Sequence, residues 1–279
     1  MKLKLIALTL ALAAAGQAHA AGTVDFTSGD GNLFLSVWDP VAQTSYSRDL
    51  GIDLNTFAPN ATVNTAPTFS SQYETAGYTQ SFTADALLQQ YLSTANQANL
   101  VWNIGAGDIT DGGATKNGNR FLSTSTSDYS AVSSQTNSKL GHFYVSNNVA
   151  GSIATTLAQS GTLSLTATPA AGYNYAGDST YGNNWNTQTT GWLNTAALGS
   201  SSNFYFLTPS GSAVFNSKSM VHQFGYTDAQ GQFEAASWTL GGNGTLTYSV
   251  PTAPVPEPES WAMLGVGLGL LGLRLRRRA

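Results

Sequence analysis

Side chains that could act as nucleophiles or bases are scarce in this 279-residue sequence. Cysteine is absent, which excludes thiolate nucleophiles, disulfides and thiolate metal sites. A serine–histidine–aspartate set could use only His142 or His222, because His19 lies in a predicted leader, and no Gly-x-Ser-x-Gly motif is present. His222 lies in the strand-like segment 220–225, where histidine more often packs or faces solvent. The sequence therefore predicts no catalytic residue and a protein that is not an enzyme.

Acidic residues are more numerous, and thirteen of them lie in the body of the chain. Two carboxylates about 5–9.5 Å apart could hydrolyse glycosides, so a secreted glycoside hydrolase is kept as the weakest alternative. The densest acidic turn holds Asp108 and Asp111, whose carboxylates could bind Ca²⁺, although Asp-Gly is first of all a turn sequence. Asp25, Asp30 and Asn32 form a weaker cluster of the same kind. We expect no cofactor, with Ca²⁺ as a weak alternative.

A segment rich in aromatic and amide side chains, 173–192, is the most suggestive stretch for ligand binding. Sugars stack their C–H groups on aromatic faces while their hydroxyls bond to amides and carboxylates. The segment could therefore make the body a lectin-like, carbohydrate-binding module, or its rings could fold back and cover the core. The candidate contact residues are Tyr173, Tyr175, Tyr181, Trp185 and Trp192.

The charge distribution excludes one class of partner. Only 9% of residues are charged, against about 25% in an ordinary soluble protein. Residues 21–250 hold five Lys and Arg against thirteen Asp and Glu, which gives a net charge near −8. Such a body cannot form the basic surface that nucleic acids require. Its dense Ser, Thr, Asn and Gln content instead suits a hydrated polymer setting.

The first twenty residues have the three parts of a secretory signal peptide. Lys2 and Lys4 supply the positive region, and an unbroken apolar run covers 5–15. The small residues Ala18 and Ala20 form an A-x-A site, so signal peptidase is expected to leave Ala21 as the new N-terminus. We therefore predict export.

The last thirty residues predict a second membrane segment. Prolines at 251, 254, 256 and 258 form a stiff linker over 251–260, followed by thirteen uncharged residues, 261–273. As a helix these would span about 20 Å, short of the ~30 Å hydrocarbon core, which Arg snorkelling can extend. The cluster that follows, in the tail 274–279, should stop transfer and stay cytoplasmic, because each Arg costs about 2.5–3.5 kcal/mol at the bilayer centre. Its arginines are Arg274, Arg276, Arg277 and Arg278.

This tail resembles the PEP-CTERM sorting domain of Gram-negative bacteria over about residues 254–279. The resemblance rests on the motif Val255-Pro256-Glu257-Pro258, the short Gly/Leu-rich apolar helix and the arginine cluster, in that order. It implies processing near Pro256, Glu257 and Pro258 by an exosortase, which is a membrane-embedded protease. It also implies a host that makes exopolysaccharide, a transient stay in the inner membrane, and a product delivered to the cell surface or extracellular matrix.

The body itself has mainly strand patterns. Apolar or alternating runs predict strands at 33–38, 99–104 and 203–208, and three successive strands at 221–226, 232–240 and 245–250 with glycine-rich turns between them. Residues 84–92 have helical spacing, with Thr83 or Ser81 as the cap, and 128–159 weakly favour helix.

We therefore expect a mainly β domain over 21–250, a sandwich or jelly-roll-like fold with one or two helices, between the leader 1–20 and the tail. Ligand, oligomeric state and strand topology stay open. The leading functional hypothesis is an exported, non-enzymatic surface or matrix protein.

Overall fold

The computed structural model describes residues 31–39, 41–42, 44–59, 68–108, 120–137, 195–210 and 217–253. The strands in these ranges are β1 Asn32–Asp39, β2 Thr44–Asp53, β3 Thr79–Phe82, β4 Val101–Asp108, β5 Arg120–Ser125, β6 Ala196–Ala197, β7 Ser201–Thr208, β8 Met220–Gln223, β9 Gly225–Thr227, β10 Phe233–Ala235, β11 Ser237–Leu240 and β12 Leu246–Ser249. The helices are α1 Leu54–Phe57, α2 Ala86–Thr94 and α3 Tyr129–Ser133, with 3₁₀ turns at Ser71–Glu74 and Gln97–Asn99. The prediction of a mainly β body is confirmed.

Ten of these strands form one antiparallel sheet, in the order β2-β1-β4-β5-β7-β11-β12-β3, with β6 beside β4 and β8 beside β7. The other two, β9 and β10, form a separate ribbon. Strand β7 is the branch point, because its first residues pair with β11 and its last residues pair with β8. The neighbour of β7 therefore changes along its length, from β11 at its start to β8 at its end.

Burial explains which strand patterns were readable from the sequence. Strands β1 and β5 are buried at every residue; for β1 this agrees with the mainly apolar run 33–38, whereas β5 was not predicted. Strands β11 and β12 instead alternate, with Trp238 and Tyr248 buried and the residues between them partly exposed. Strand β3 was not predicted, since Thr79–Phe82 is a short, largely polar edge segment with one buried residue.

The sheet curls until its two end strands are joined by side chains. Arg48 on β2 donates from Nη1 to the carbonyl oxygen of Thr83, which follows β3, at 2.7 Å. The Tyr46 hydroxyl donates to Asp85, and Arg48 Nε lies 3.8 Å from the Asp85 carboxylate. Burial, and then the negative charge of Asp85, raises the pKa of Tyr46 well above its usual value. We call Tyr46, Arg48 and Asp85 the clasp.

One aromatic cluster fills the space inside the curl. Phe57 on α1 stacks on Tyr73 at 3.8 Å between ring centroids and meets Phe204 and Phe224 edge-on at 5.2 and 5.5 Å. The Tyr248 hydroxyl donates to the carbonyl oxygen of Tyr73 at 2.6 Å, so this buried polar group is satisfied. The core thus joins α1, the 68–78 segment, β7 and β12, which are distant in sequence.

The two predicted helices are found in part. Helix α2 confirms the helix expected at 84–92, but the predicted cap was wrong, because Asp85 accepts the Leu88 backbone N–H at 2.8 Å and fills that role. Helix α3 occupies only the start of the ambiguous stretch 128–159. The part of that stretch beyond 137 lies outside the described residues.

Candidate functional site

A cavity of about 400 Å³ lies beside strand β8, and we call it the β8 cleft. Its described lining residues are Tyr129, Val221, His222, Gln223 and Phe233. Three come from β8, one from the start of α3 and one from the start of β10. The cleft therefore lies where β8, helix α3 and the ribbon come together.

The α3 wall of the cleft is fixed by capping and by backbone pairing. Asp128 accepts from the Ala131 N–H at 2.8 Å, which starts α3 and places Tyr129 at its first position. Beyond the helix, Asn137 N donates to the carbonyl oxygen of Ser217 at 2.8 Å. The chain after α3 is thus held to the chain that leads into β8.

The ribbon wall depends on one glycine. A Cβ atom placed on Gly225 would lie 2.3 Å from the carbonyl oxygen of Glu234 and 2.7 Å from Cζ of Phe233. Any larger residue at this position would push the two strands of the ribbon apart. The close approach lets the Phe233 ring lie over Gly225, at the edge of the cleft.

His222 supplies the imidazole of the lining. Its Nε2 lies 2.6 Å from Glu74 Oε1, and its ring stacks on Phe69 at 3.7 Å between centroids with only 9° between the planes. The Phe224 ring contacts the imidazole edge-on at 5.3 Å. Both side chains of the pair are partly exposed. The imidazole is therefore held in one orientation at the wall of the cleft.

Sequence reasoning placed His222 on a strand, which is confirmed, and gave it a packing or surface position. It missed the partner, because Glu74 is 148 residues away and five strands of the sheet, β3 to β7, lie between the two residues in the chain. A histidine held by a carboxylate has the orientation needed for proton transfer or for donating a hydrogen bond to a ligand. The residue types alone gave no signal of this pairing.

Few cations remain at the surface of the described part of the chain. Arg48 and Arg120 are both buried, the first in the clasp and the second bonded from Nη1 to Asn55 Oδ1 at 2.6 Å. Lys218 is exposed. Asp128 and Glu234 adjoin Tyr129 and Phe233 in sequence, and Lys218 lies two residues before β8, so the lining has sequence neighbours of both charges.

Most residues singled out from the sequence lie outside the described part of the chain. This applies to the aromatic segment 173–192, to Asp111, to His142, and to both processing regions. Asp108 ends β4 opposite Arg120, and Asn32 begins β1 as a buried residue. Within the described ranges, no group of three or more His, Asp or Glu residues is placed to hold a metal ion. The Ca²⁺ hypothesis at Asp108 and Asp111 stays a prediction.

The described ranges contain no helix that is both long and apolar enough to cross a membrane. The predicted membrane segment 261–273 lies beyond them.

Comparison with known proteins identifies a family motif in the tail only. Residues 254–278 match the family model of the PEP-CTERM protein-sorting motif, so the resemblance seen in the tail is confirmed. The motif marks an exported protein for processing by an exosortase, through a membrane-anchored precursor. No curated protein and no solved structure matches the chain.

Proposed function

We propose that this protein is exported, anchored in the inner membrane as a precursor, processed by an exosortase and delivered to the cell surface or exopolysaccharide matrix, where its body acts without catalysing a reaction. The observation that carries the proposal is the sorting motif at 254–278. Its order of proline-rich linker, short apolar segment and arginine cluster suits a temporary anchor with the body outside and the tail inside. Signal peptidase would remove the leader 1–20.

The way the chain leaves the body supports this proposal. Tyr248 on β12 and Val250 beyond it are buried in the core, and Val250 N donates to the carbonyl oxygen of Tyr78 at 2.9 Å. Gly77 N then donates to the carbonyl oxygen of Pro251 at 2.9 Å. The described core cluster thus ends at Val250, before the motif. Cleavage near Pro256 would remove none of these buried residues, so the processed body would keep its stability.

The sorting step is tested by replacing Pro256, Glu257 and Pro258 with alanine and following the chain in membrane and released fractions. We expect the triple variant to accumulate uncleaved in the inner membrane. Thr252→Ala is the matched control, since it alters the same linker outside the motif and should be released normally. Release of the triple variant at the wild-type rate would show that the motif does not direct processing.

We further propose that the curled sheet acts as a sandwich-like shell, in which one continuous sheet supplies both layers around the aromatic core. The curl is carried by the clasp, which joins the first and last strands of the pairing order. A single shell of this kind agrees with one extracellular domain over 21–250. Limited proteolysis should release it as one resistant fragment, whereas two stable fragments would contradict a single domain.

Carbohydrate binding is the second candidate function. It is supported by the aromatic and amide content of 173–192 and by the exposure of Tyr129 and Phe233 at the β8 cleft. Retention of the full chain on polysaccharide gels tests it, and no retention on any gel would retire it. A secreted glycoside hydrolase, the weakest alternative, requires turnover of a glycoside that stops when one of two carboxylates is changed to its amide.

A further inference from the structure

We propose that the β8 cleft is a binding site for a neutral sugar, about one or two rings of a carbohydrate chain. The inference rests on the carbohydrate-binding candidate and gives it a location other than 173–192. It does not depend on the sorting step.

Exposed aromatic side chains mark the cleft. Tyr129 and Phe233 are each 48% exposed, and within the described ranges only Val41, at 73%, is another large apolar side chain with comparable exposure. Two of these three residues therefore line the same cavity, one from α3 and one from β10. Folding alone gives no reason to expose two rings at one place, whereas a sugar ring can stack on either.

The size of the cleft limits the ligand. Its volume of about 400 Å³ lies at the low end of the ~300–1,000 Å³ range of small-molecule sites. A folded protein domain would not enter such a space. A short stretch of an oligosaccharide fits it, with the remainder of the chain leaving through the open side.

The lining determines the charge of the ligand. Among its described residues, no carboxylate, lysine or arginine lines the cleft, and the imidazole of His222 is already paired with Glu74. An anionic sugar would meet no counter-charge among these residues. A cationic ligand would find no carboxylate within the lining. Neutral hydroxyls need only uncharged partners, which Gln223 and His222 supply.

The walls are held in place before any ligand arrives. The His222 ring is fixed by Glu74 and by stacking on Phe69, and the Asp128 cap fixes the backbone at Tyr129. Phe233 lies over Gly225 in the ribbon. A preformed site loses little conformational entropy on binding, which favours the binding of a small rigid ring.

The test is calorimetric titration of the detergent-purified full chain with neutral oligosaccharides of glucose, galactose and mannose, two to four units long. Oligosaccharides of the same length that carry uronic acids are the charged comparison. We expect a neutral ligand to bind, and the Y129A/F233A variant to bind it at least about tenfold more weakly. Val41→Ala, an exposed apolar side chain in the turn after β1, is the matched control and should bind like the wild type.

Three results would overturn the inference. They are the absence of binding to every neutral oligosaccharide, equal binding of the uronic acid series, and unchanged binding by Y129A/F233A. If that variant binds normally while W185A/W192A does not, the cleft is refuted but carbohydrate binding at 173–192 is retained. Tyr129 and Phe233 are half exposed, so their loss should leave the urea unfolding midpoint nearly unchanged, and a folded variant can be confirmed before titration.

Discussion

Removing the carboxylate of Asp85 should destabilise the body more than the loss of any ordinary helix cap, because this side chain has three roles. It caps α2 through the Leu88 N–H, accepts from the buried Tyr46 hydroxyl, and lies 3.8 Å from Arg48 Nε. Only about a tenth of each charged side chain is exposed. Asp85→Ala therefore removes the cap, the acceptor of the Tyr46 hydroxyl and the carboxylate beside Arg48.

The expected cost can be assembled from these contacts. Losing the cap costs about 1 kcal/mol, and the orphaned Tyr46 hydroxyl costs about 1–3 kcal/mol. Arg48 keeps its bond to the Thr83 carbonyl oxygen, so the broken ion pair adds less than the full ~3–5 kcal/mol of an isolated buried pair. We expect Asp85→Ala to lower the free energy of unfolding by about 3–5 kcal/mol.

The assay is urea unfolding of the full chain, monitored by the fluorescence of its buried tryptophans. The free energies of unfolding are compared with one common slope against urea concentration. Asp128→Ala is the matched control, because Asp128 caps α3 in the same way but is exposed, and its loss should cost clearly less than that of Asp85. Tyr46→Phe removes the hydroxyl, so Y46F/D85A should be more stable than the sum of the single changes by about 1–3 kcal/mol.

Two outcomes would refute the clasp. One is an Asp85→Ala cost no larger than that of Asp128→Ala. The other is a double-mutant cycle in which Tyr46 and Asp85 contribute independently, which would mean that the hydroxyl does not depend on the carboxylate. Either result would mean that packing alone, and not the clasp, closes the curled sheet.

Burial raises the pKa of Tyr73 and of Tyr205 to about 12, above the usual value near 10. Each raised pKa contributes up to about 2 kcal/mol of stability, which is complete below pH 10 and is lost as the pH rises from 10 to 12. The urea midpoint should therefore be lower at pH 11 than at pH 9, and equal midpoints would contradict the raised pKa values. Gly225→Ala should cost more than Gly231→Ala in the same urea assay, because both glycines have a positive φ but only the Cβ at Gly225 would meet backbone, 2.3 Å from the Glu234 carbonyl oxygen; the reverse order would disprove the close approach. Glu74→Gln should cost at most about 1 kcal/mol, since its hydrogen bond with His222 is partly exposed, and a larger loss in urea unfolding would assign it a core role.

Much of the β domain could be predicted because its strands carry local patterns. The apolar run at 33–38 and the alternation of Trp238 with its neighbours identify buried and half-buried strands without any partner. The break of the predicted 232–240 strand at Ala236 could not be foreseen. Ala236 is buried and its N–H bonds to the carbonyl oxygen of Phe224, a contact that exists only after the ribbon folds against β7.

The candidate site was beyond sequence reasoning for a related reason. Tyr129, His222 and Phe233 belong to three elements whose meeting depends on the branch after β7. None has a motif, a spacing or a neighbour that distinguishes it in the sequence. The pairing of His222 with Glu74 across 148 residues is likewise a product of sheet order.

By itself the sequence determined the destination of this protein. Sorting signals are read by enzymes as local, extended or helical segments, so the motif at 254–278 could be recognised from residue order alone. The tertiary structure decided everything that requires two distant segments to meet, namely the closure of the sheet by the clasp and the cleft beside β8. The physical reason is that burial and hydrogen bonding between strands depend on pairing order, which local patterns do not encode.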